Sequence, residues 1–208
     1  DVVRGQKTGF FVDQRDNRDR VRSRAAGRAV LDVFSASGGF SVAAAAGGAT
    51  RVHSVDLSRG AIDAARRNMA LNVGRPHVAA CHHDATVGVA AAVMAGLLGT
   101  GARYGIVVVD PPSMASRGSQ VDGALRAYAR LCDLALQLLE PGGTLVQSSC
   151  SSRVTADQLL DVVRGVAAGR GVGLQQVSVT GHAADHPVGF TEGAYLSAVF
   201  AKLVQPSR

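Results

Sequence analysis

The sequence predicts a doubly wound α/β fold, in which a mostly parallel, seven-stranded sheet carries helices on both faces. Apolar runs of strand length alternate with longer helical segments along the chain. Such alternation leads to parallel strand pairing, because each crossover helix returns the chain to the same edge of the sheet. The length of 208 residues is sufficient for one such domain with a full core.

The first half of the chain predicts three strands, each followed by a helix. Gly38 and Gly39 precede the first helix, and Gly47 and Gly48 are typical of its end. Ser58 is a suitable N-cap for the second helix. The predicted strands cover residues 28–34, 51–56 and 77–84, and the predicted helices cover 38–49, 58–72 and 85–98.

The second half predicts four strands and two helices. The segment "YGIVVVD" is the clearest strand, and it ends at Pro111-Pro112, which cannot continue a central ladder. The strands are predicted over 104–110, 144–149, 174–180 and 194–204, and the helices over 121–140 and 155–170.

Composition indicates a cytoplasmic protein. No apolar run approaches the ~20 residues that a membrane span needs, and the segment "DVVRGQKTG" does not resemble a signal peptide. The three cysteines form no CxxC pair, so we expect a reducing compartment and no disulfide framework. The sequence leaves a monomer and a homodimer equally open. The chain lacks an initiator methionine, and we expect it to be part of a longer protein.

The positive charge concentrates near the amino terminus. The formal net charge is +6, and eight basic residues fall between positions 4 and 28: Arg4, Lys7, Arg15, Arg18, Arg20, Arg22, Arg24 and Arg28. One interpretation is a solvated helix face of mixed charge; the other is an edge that contacts RNA phosphates through arginine. We therefore divide the chain into a basic extension, 1–27, which packs on a catalytic domain, 28–208.

Polar side chains follow five of the predicted strands directly. Parallel sheets bind ligands beyond the carboxyl ends of their strands. Residues at that edge are therefore candidates for one shared site: Asp32 with Ser35, Asp56, Asp84, Asp110 and Cys150.

The loop after the first strand favours S-adenosylmethionine over a dinucleotide. It contains Gly38-Gly39 but no GxGxxG pattern. Asp32 would repel a pyrophosphate and attract an ammonium or sulfonium group, although it could equally be a helix-capping acid. Asp56 is placed to bind ribose hydroxyls, and Asp84 to accept from an adenine amino group.

The segment "CHHD", residues 81–84, invites a metal interpretation. Successive side chains of a strand point to opposite faces, so Cys81, His82 and His83 do not converge on one ion. We predict no metal site.

The turn "DPPS" and the segment "QSSCS" carry the predicted chemistry. The double proline fixes the geometry around Asp110, while Ser113 stands where an aromatic residue serves enzymes that methylate exocyclic amines. A thiolate from Cys150 could attack carbon-6 of cytosine and activate carbon-5 for methylation. Ser149 and Ser151 could supply hydrogen bonds there. The competing interpretation of Cys150 is a buried structural thiol, which fits Cys132 better.

Several motifs together resemble the methyltransferase domain of bacterial RlmI-type 23S ribosomal RNA cytosine-5 methyltransferases. They are "GQKTGFFVDQRDNR", "LDVFSASGGFSVAAAAGGA", "VDLS", "DPPS", "EPGGTLVQSSCS" and "AADHPVGFTEGAYL", in this order along the chain. The resemblance implies a Rossmann-like class I fold and ribosomal RNA as substrate. It also implies an upstream RNA-binding domain of the PUA type, which we expect to be missing from this chain.

The resemblance assigns roles to individual residues. Cys150 would be the nucleophile and Asp110 would bond the cytosine ring edge. The cofactor would be lined by Gln14, Arg15, Asp32, Phe34, Ser35, Ser37, Gly38, Asp56, Leu57, Asp84 and Asp110. RNA would contact Arg15, Arg18, Pro112 and Ser113.

Two departures from the family accompany these roles. Ala36-Ser37 replaces the usual Tyr-Thr, and Pro111-Pro112 stands where many RNA cytosine-5 enzymes have a second cysteine that expels the product. Two alternatives stay open: guanine-N7 or amino methylation on the same fold, and a non-catalytic RNA- or nucleotide-binding module. Guanine-N7 relatives share "QKTG" and "DPP" but lack the cysteine of "SCS".

Overall fold

The structure is a computed structural model that describes residues 10–189 and 193–204. The predicted basic residues Arg4 and Lys7, the "QKTG" motif and part of "GFTEG" lie outside this range. The described residues form seven strands: β1 (Ala29–Val33), β2 (Arg51–Asp56), β3 (His82–Val87), β4 (Tyr104–Val109), β5 (Leu139–Ser149), β6 (Gly173–Thr180) and β7 (Ser197–Val204).

In the described part of the chain, seven helices connect these strands or precede them. They are α1 (Arg15–Arg22), α2 (Gly39–Ala46), α3 (Arg59–Leu71), α4 (Pro76–Ala80), α5 (Ala90–Gly99), α6 (Val121–Leu138) and α7 (Ala156–Gly169). Two 3-10 turns, Val12–Gln14 and Gly118–Gln120, lead into α1 and α6.

The strands form one sheet in the order β3-β2-β1-β4-β5-β7-β6. The first five are parallel, and β7 runs antiparallel between β5 and β6. The order reverses between β1 and β4, which is where doubly wound sheets open a ligand crevice. The predicted fold class, a mostly parallel seven-stranded α/β sheet, is therefore confirmed.

The central strand β4 is buried along its whole length, as its uninterrupted apolar run predicts. Its side chains alternate between two core clusters, one on each face of the sheet. One cluster contains Val107 and Val109 with α6 and α7, and the other contains Ile106 and Val108 with α2. This rigid centre fixes the positions of the residues that follow β1, β4 and β5.

The amino-terminal helix belongs to the same core. Val21 of α1 and the following Ala25 are fully buried, in one cluster with Phe40 and Ala44 of α2. The arginines of this segment are thereby divided between a buried and an exposed face.

The prediction for the third strand is wrong in its position. Residues 77–84 were expected to form a strand, but Pro76–Ala80 form a short helix and the strand runs over His82–Val87. Proline is favoured at the first helical position, and alanines extend the turn. The expected helix 85–98 begins later for the same reason, at Ala90.

The helix before β5 ends at Leu138, slightly earlier than predicted, and β5 starts at once with Leu139. Among residues 10–189 and 193–204, no helix is long and apolar enough to cross a bilayer.

Candidate active site

The loop between β1 and α2 has an unusual backbone. Phe34 and Ala36 adopt positive φ angles of 64° and 46°, which cost energy for residues with a Cβ atom. Gly38 adopts φ 78°, and a Cβ there would lie 2.9 Å from the Cβ of Ala65 in α3. Backbone strain of this kind is typical of ligand-binding loops, and here it brings α3 close to the start of α2.

Asp32 lies beneath this loop and is completely buried. Its Oδ2 accepts from the backbone N–H of Ser41 at 3.0 Å and from the Ser41 hydroxyl at 2.6 Å. The helix-capping interpretation is therefore correct for this oxygen. Its Oδ1 is buried and has no hydrogen-bond partner among the described residues. Burial raises the pKa of Asp32 to about 6.

Asp56 joins the two loops that frame the crevice. Its Oδ2 accepts from the N–H of Ala36 at 3.0 Å, and its Oδ1 accepts from the N–H of Ser58 at 2.8 Å. Each carboxylate oxygen keeps a second lone pair for another donor.

An apolar cavity of about 260 Å³ opens beside these loops. Three predicted cofactor residues line it, namely Phe34, Asp56 and Leu57, together with Val89, Ala90, Ala91, Met114, Ala127, Arg130 and Leu131. A nearly apolar slot with a carboxylate in its wall suits a planar base joined to a ribose.

The residues at this end fit S-adenosylmethionine. Four buried side-chain polar atoms lack a partner within the described residues, and two of them lie at this end, Asp32 Oδ1 and the hydroxyl of Ser35. Buried polar atoms normally have partners, so both are available to a polar, cationic ligand. Ser37, another predicted cofactor residue, connects the loop to α3 through its backbone, because its carbonyl accepts from the Asn68 side chain at 2.8 Å.

Asp84 does not lie where the sequence predicted. It stands three residues before the end of β3, opposite His53, and pairs with Arg51 at 2.7 Å. The prediction that it ends a strand is wrong, because α4 displaces the strand towards the carboxyl terminus. Its contact with the adenine stays a prediction. Within residues 10–189 and 193–204, no three His, Cys, Asp or Glu side chains are grouped so that they could hold a metal ion.

The structure brings Cys150 and Asp110 together. They follow the neighbouring parallel strands β5 and β4, and the sulfur lies 3.8 Å from Asp110 Oδ1, with the thiol donating. Burial, together with the negative charges of Asp32 and Asp13, raises the pKa of Asp110 to about 7. The carboxyl group therefore changes protonation state near neutral pH.

Gln14 holds Asp110 from below the site. Its side-chain amide donates to Asp110 Oδ1 at 2.9 Å and itself accepts from Asn17 at 2.7 Å. Thr180 in turn donates to Asn17 Oδ1 at 2.6 Å. Gln14 was expected beside the methionine moiety or the RNA, but it is 2% exposed and supports the carboxylate instead. Asn17 and Thr180 were missed, because polarity alone does not distinguish them from surface residues.

The serines around Cys150 hold its turn in place. Ser149 exchanges a hydrogen bond with the Tyr128 hydroxyl at 3.0 Å, and Ser151 donates to the Ala115 carbonyl at 2.6 Å. They therefore fix the backbone on both sides of the half-buried sulfur. Cys132 differs, because complete burial raises its pKa to about 12, as expected of a packing thiol.

The loop after β6 closes the site on its other side. Asp13 Oδ2 accepts from the Tyr195 hydroxyl at 2.8 Å, and the Asp13 carbonyl accepts from the N–H of Ala183 at 3.0 Å. The rings of His182 and His186 stack 4.8 Å apart, with Tyr195 edge-on to both. The motif "AADHPVGFTEGAYL" contains Ala183, His186 and Tyr195, and His182 directly precedes it. No local pattern in it predicts that it docks on the amino-terminal segment.

The predicted RNA contacts separate into two groups. Pro112 and Ser113 are exposed beside Asp110, and Arg15 is exposed but paired with Asp16 and Asp185. Arg18 is only 8% exposed; it donates to the Phe11 carbonyl at 2.6 Å and lies over the Phe10 ring. The prediction that Arg18 contacts RNA phosphates is wrong, because its guanidinium is covered.

Comparisons with known proteins agree with this arrangement. A model of a family described as S-adenosylmethionine-dependent methyltransferase matches residues 1–173. The chain is 44% identical over 203 residues to a ribosomal RNA large subunit methyltransferase of Deinococcus radiodurans, covering 98% of this chain and 49% of the relative. It is 37% identical over 206 residues to ribosomal RNA large subunit methyltransferase I of Shewanella amazonensis, covering 98% and 51%.

A solved structure is similar throughout the fold. SMU.776, described as a methyltransferase complexed with SAH, superposes with a TM-score of 0.79 at 26% identity, over 95% of this chain and 51% of that one. The chain thus spans about half the length of the curated relatives it matches.

Proposed function

This chain belongs to the family of S-adenosylmethionine-dependent methyltransferases, and from that premise we propose that it methylates carbon-5 of a cytosine in large-subunit ribosomal RNA. The observation that carries the proposal is the pairing of Cys150 with Asp110 at the carboxyl edge of the sheet. The two curated relatives are named for large-subunit ribosomal RNA methylation, which supports the choice of substrate.

The cofactor end would bind S-adenosylmethionine along the loops after β1 and β2. Phe34 and Leu57 would enclose the adenine, and Asp56 would accept from the ribose hydroxyls. Asp32 Oδ1 and the Ser35 hydroxyl would meet the charged methionine end, because both are buried and lack partners among the described residues. When bound, the cofactor supplies an electrophilic methyl group.

Cys150 and Asp110 would activate the base by moving one proton. The thiol transfers its proton to Asp110 Oδ1, and the thiolate sulfur bonds to carbon-6 of the cytosine. The displaced electron pair moves into the ring, and Asp110 delivers its proton to N3. A pKa of about 7 suits a carboxyl group that accepts and then donates near neutral pH.

The reverse movement of electrons completes the cycle. Once carbon-5 is methylated, its proton is lost to a base, the ring double bond re-forms and the sulfur leaves carbon-6. N3 returns its proton to Asp110. Gln14 would keep the carboxyl group oriented throughout, through its 2.9 Å hydrogen bond.

The target base must leave any duplex to reach this edge of the sheet. Arg20, Arg22 and Arg24 are exposed on and just after α1 and would contact phosphates, whereas Arg18 would not. A cytoplasmic site of action is part of the proposal, since ribosomal RNA is the proposed substrate.

A trapping experiment tests the covalent step. Ribosomal RNA containing 5-fluorocytosine cannot lose a proton from carbon-5, so the adduct with the sulfur should accumulate when S-adenosylmethionine is present. We expect a denaturant-stable protein–RNA complex for the wild type and for Cys81→Ala, and none for Cys150→Ala.

Nucleoside analysis of methylated RNA provides the second arm. We expect labelled 5-methylcytidine. Labelled 7-methylguanosine without 5-methylcytidine, or a stable adduct with Cys150→Ala, would overturn the proposal.

A further inference from the structure

A chain of hydrogen bonds runs from the buried Asp32 to the surface of the sheet. Ser41 bonds Asp32 Oδ2 at 2.6 Å, Ser41 meets Ser54 at 2.6 Å, and Ser54 meets His83 Nε2 at 2.8 Å. Asp32, Ser41 and Ser54 are all 0% exposed, while His83 is half-buried on β3. Buried carboxylate and solvent are thus joined by two hydroxyl groups and one imidazole.

We propose that His83, acting through Ser54 and Ser41, is a positioning residue for Asp32 and exchanges the proton of that carboxyl group with solvent when a cationic ligand binds beside it. This inference rests on the family's cofactor and not on the proposed RNA target.

The direction of the hydrogen bonds depends on the charge of Asp32. An ionised Asp32 accepts from Ser41, Ser41 accepts from Ser54, and Ser54 accepts from an Nε2–H of His83. A neutral Asp32 reverses every link, so that its hydroxyl donates to Ser41 and Ser54 donates to an unprotonated Nε2. When Asp32 ionises, one proton leaves its carboxyl group, one arrives at His83 Nε2, and the ring releases one from Nδ1 to solvent.

Other charges near Asp32 and His83, the two ends of the hydrogen-bond chain, influence which of them carries the proton. Asp56 and Asp110 lie near Asp32, and their negative charges oppose its ionisation. Around His83, Asp84 favours the protonated ring, whereas Arg66, His53 and His82 oppose it. Burial also lowers the pKa of His83, so the ring rests neutral and can receive a proton.

A positive ligand should therefore bind with release of a proton. The pKa of Asp32 is raised to about 6, and a neighbouring sulfonium lowers it by favouring the charged form. Below pH 6 the ligand must displace a proton, so affinity rises with pH and levels off above it. At pH 6 roughly half a proton should leave per ligand bound.

Calorimetric titration of the protein with S-adenosylmethionine measures this proton directly. The heat of binding is compared, at each pH from 5 to 8, in two buffers that titrate near that pH and differ in ionisation enthalpy, such as phosphate and bis-Tris around pH 6. S-adenosylhomocysteine, which lacks the sulfonium charge, serves as the ligand control and should release less. The amino group of the ligand contributes equally to every variant and cancels.

Variants of the hydrogen-bond chain distinguish a positioning role of His83 from a purely structural one. His83→Ala removes the terminal donor, so the midpoint of the affinity profile should move to higher pH and affinity at pH 6 should fall about 3–10-fold. Ser54→Ala breaks another link and should produce the same shift. His83→Gln can still donate or accept and should restore affinity.

The neighbouring His82 is the matched control, because it is exposed on the same strand and does not contact Ser54. His82→Ala should not move the midpoint to higher pH, because His82 opposes the protonated ring of His83 and its removal cannot weaken the donor. Three results would each overturn the proposal. They are a wild-type affinity profile for His83→Ala, a shifted midpoint in only one of His83→Ala and Ser54→Ala, and a failure of His83→Gln to restore affinity. None of these outcomes depends on whether RNA is methylated.

Discussion

Asp32 lies in β1 and Asp110 directly follows the neighbouring strand β4, and burial raises the pKa of both. Their supports nevertheless come from different parts of the chain. Asp32 bonds Ser41, which is nine residues away, whereas Asp110 bonds Gln14 at a separation of 96 residues and Cys150 at 40. The part of the cofactor half around Asp32 is thus held by a local contact, whereas the catalytic half around Asp110 is held by contacts between distant segments.

This difference has an energetic consequence. A local stretch such as residues 32–58 can adopt its loops as soon as β1 and β2 pair. The catalytic half requires the amino-terminal turn and the loop after β6 to dock on each other, through Asp13 with Tyr195 and Asn17 with Thr180. Contacts between distant segments cost more chain entropy, so we expect damage to the catalytic half to be separable from cofactor binding.

The largest expected effect is on methyl transfer by Asp110→Asn. The amide cannot accept the Cys150 proton, so the rate should fall about 10²–10⁴-fold, while the Kd for S-adenosylmethionine stays within about twofold. Single-turnover kinetics and calorimetry measure the two quantities. Asp32→Asn is the matching variant in the cofactor half, and it should weaken binding of S-adenosylmethionine instead. Equal loss of cofactor affinity in both variants would contradict the division into halves.

An intermediate effect is expected from Gln14→Leu. The change removes the donor to Asp110 and leaves Asn17 without its acceptor, in a buried setting. The free energy of unfolding should fall by about 1–3 kcal/mol, and the rate of methyl transfer about 10–100-fold, through Asp110. Denaturant titration and single-turnover assays measure these. Gln175→Ala on exposed β6 is the control. If Gln14→Leu weakened cofactor binding as strongly as it slowed methyl transfer, the hydrogen bond from Gln14 to Asp110 would support both halves of the site.

The smallest expected effect is on the cofactor loop. Gly38→Ala puts a Cβ 2.9 Å from Ala65 at a positive φ, and should cost about 1–3 kcal/mol of stability with weaker binding of S-adenosylmethionine. Gly27 has a similar φ of 72° but open space around it. Gly27→Ala therefore measures the cost in stability of the positive φ alone. The difference in melting temperature between Gly38→Ala and Gly27→Ala then reports the contact with Ala65. Identical melting temperatures for both variants would show that the approach of α3 is not constrained by Gly38.

Sequence reasoning succeeded best where the signal was local. The apolar run of β4, the glycines of the β1–α2 loop and the acids at strand ends predicted the sheet, the crevice and the neighbourhood of Cys150. It failed at Asp84, because Pro76 and the alanines after it form a helix that strand propensity does not anticipate. It failed at Arg18, because helical position alone does not tell which arginine faces the protein.

By itself, the sequence determined the fold class, the edge of the sheet that holds the candidate site, and the closeness of Cys150 and Asp110 at that edge. These follow from periodicity and from the geometry of parallel strands, which depend on near neighbours in the chain. Only the tertiary structure decided what supports them: Gln14 and Asn17 below Asp110, the loop of Tyr195 beside it, and the serine–histidine chain behind Asp32. Those contacts join residues far apart in sequence, and no local pattern records which distant partner a buried polar group will meet.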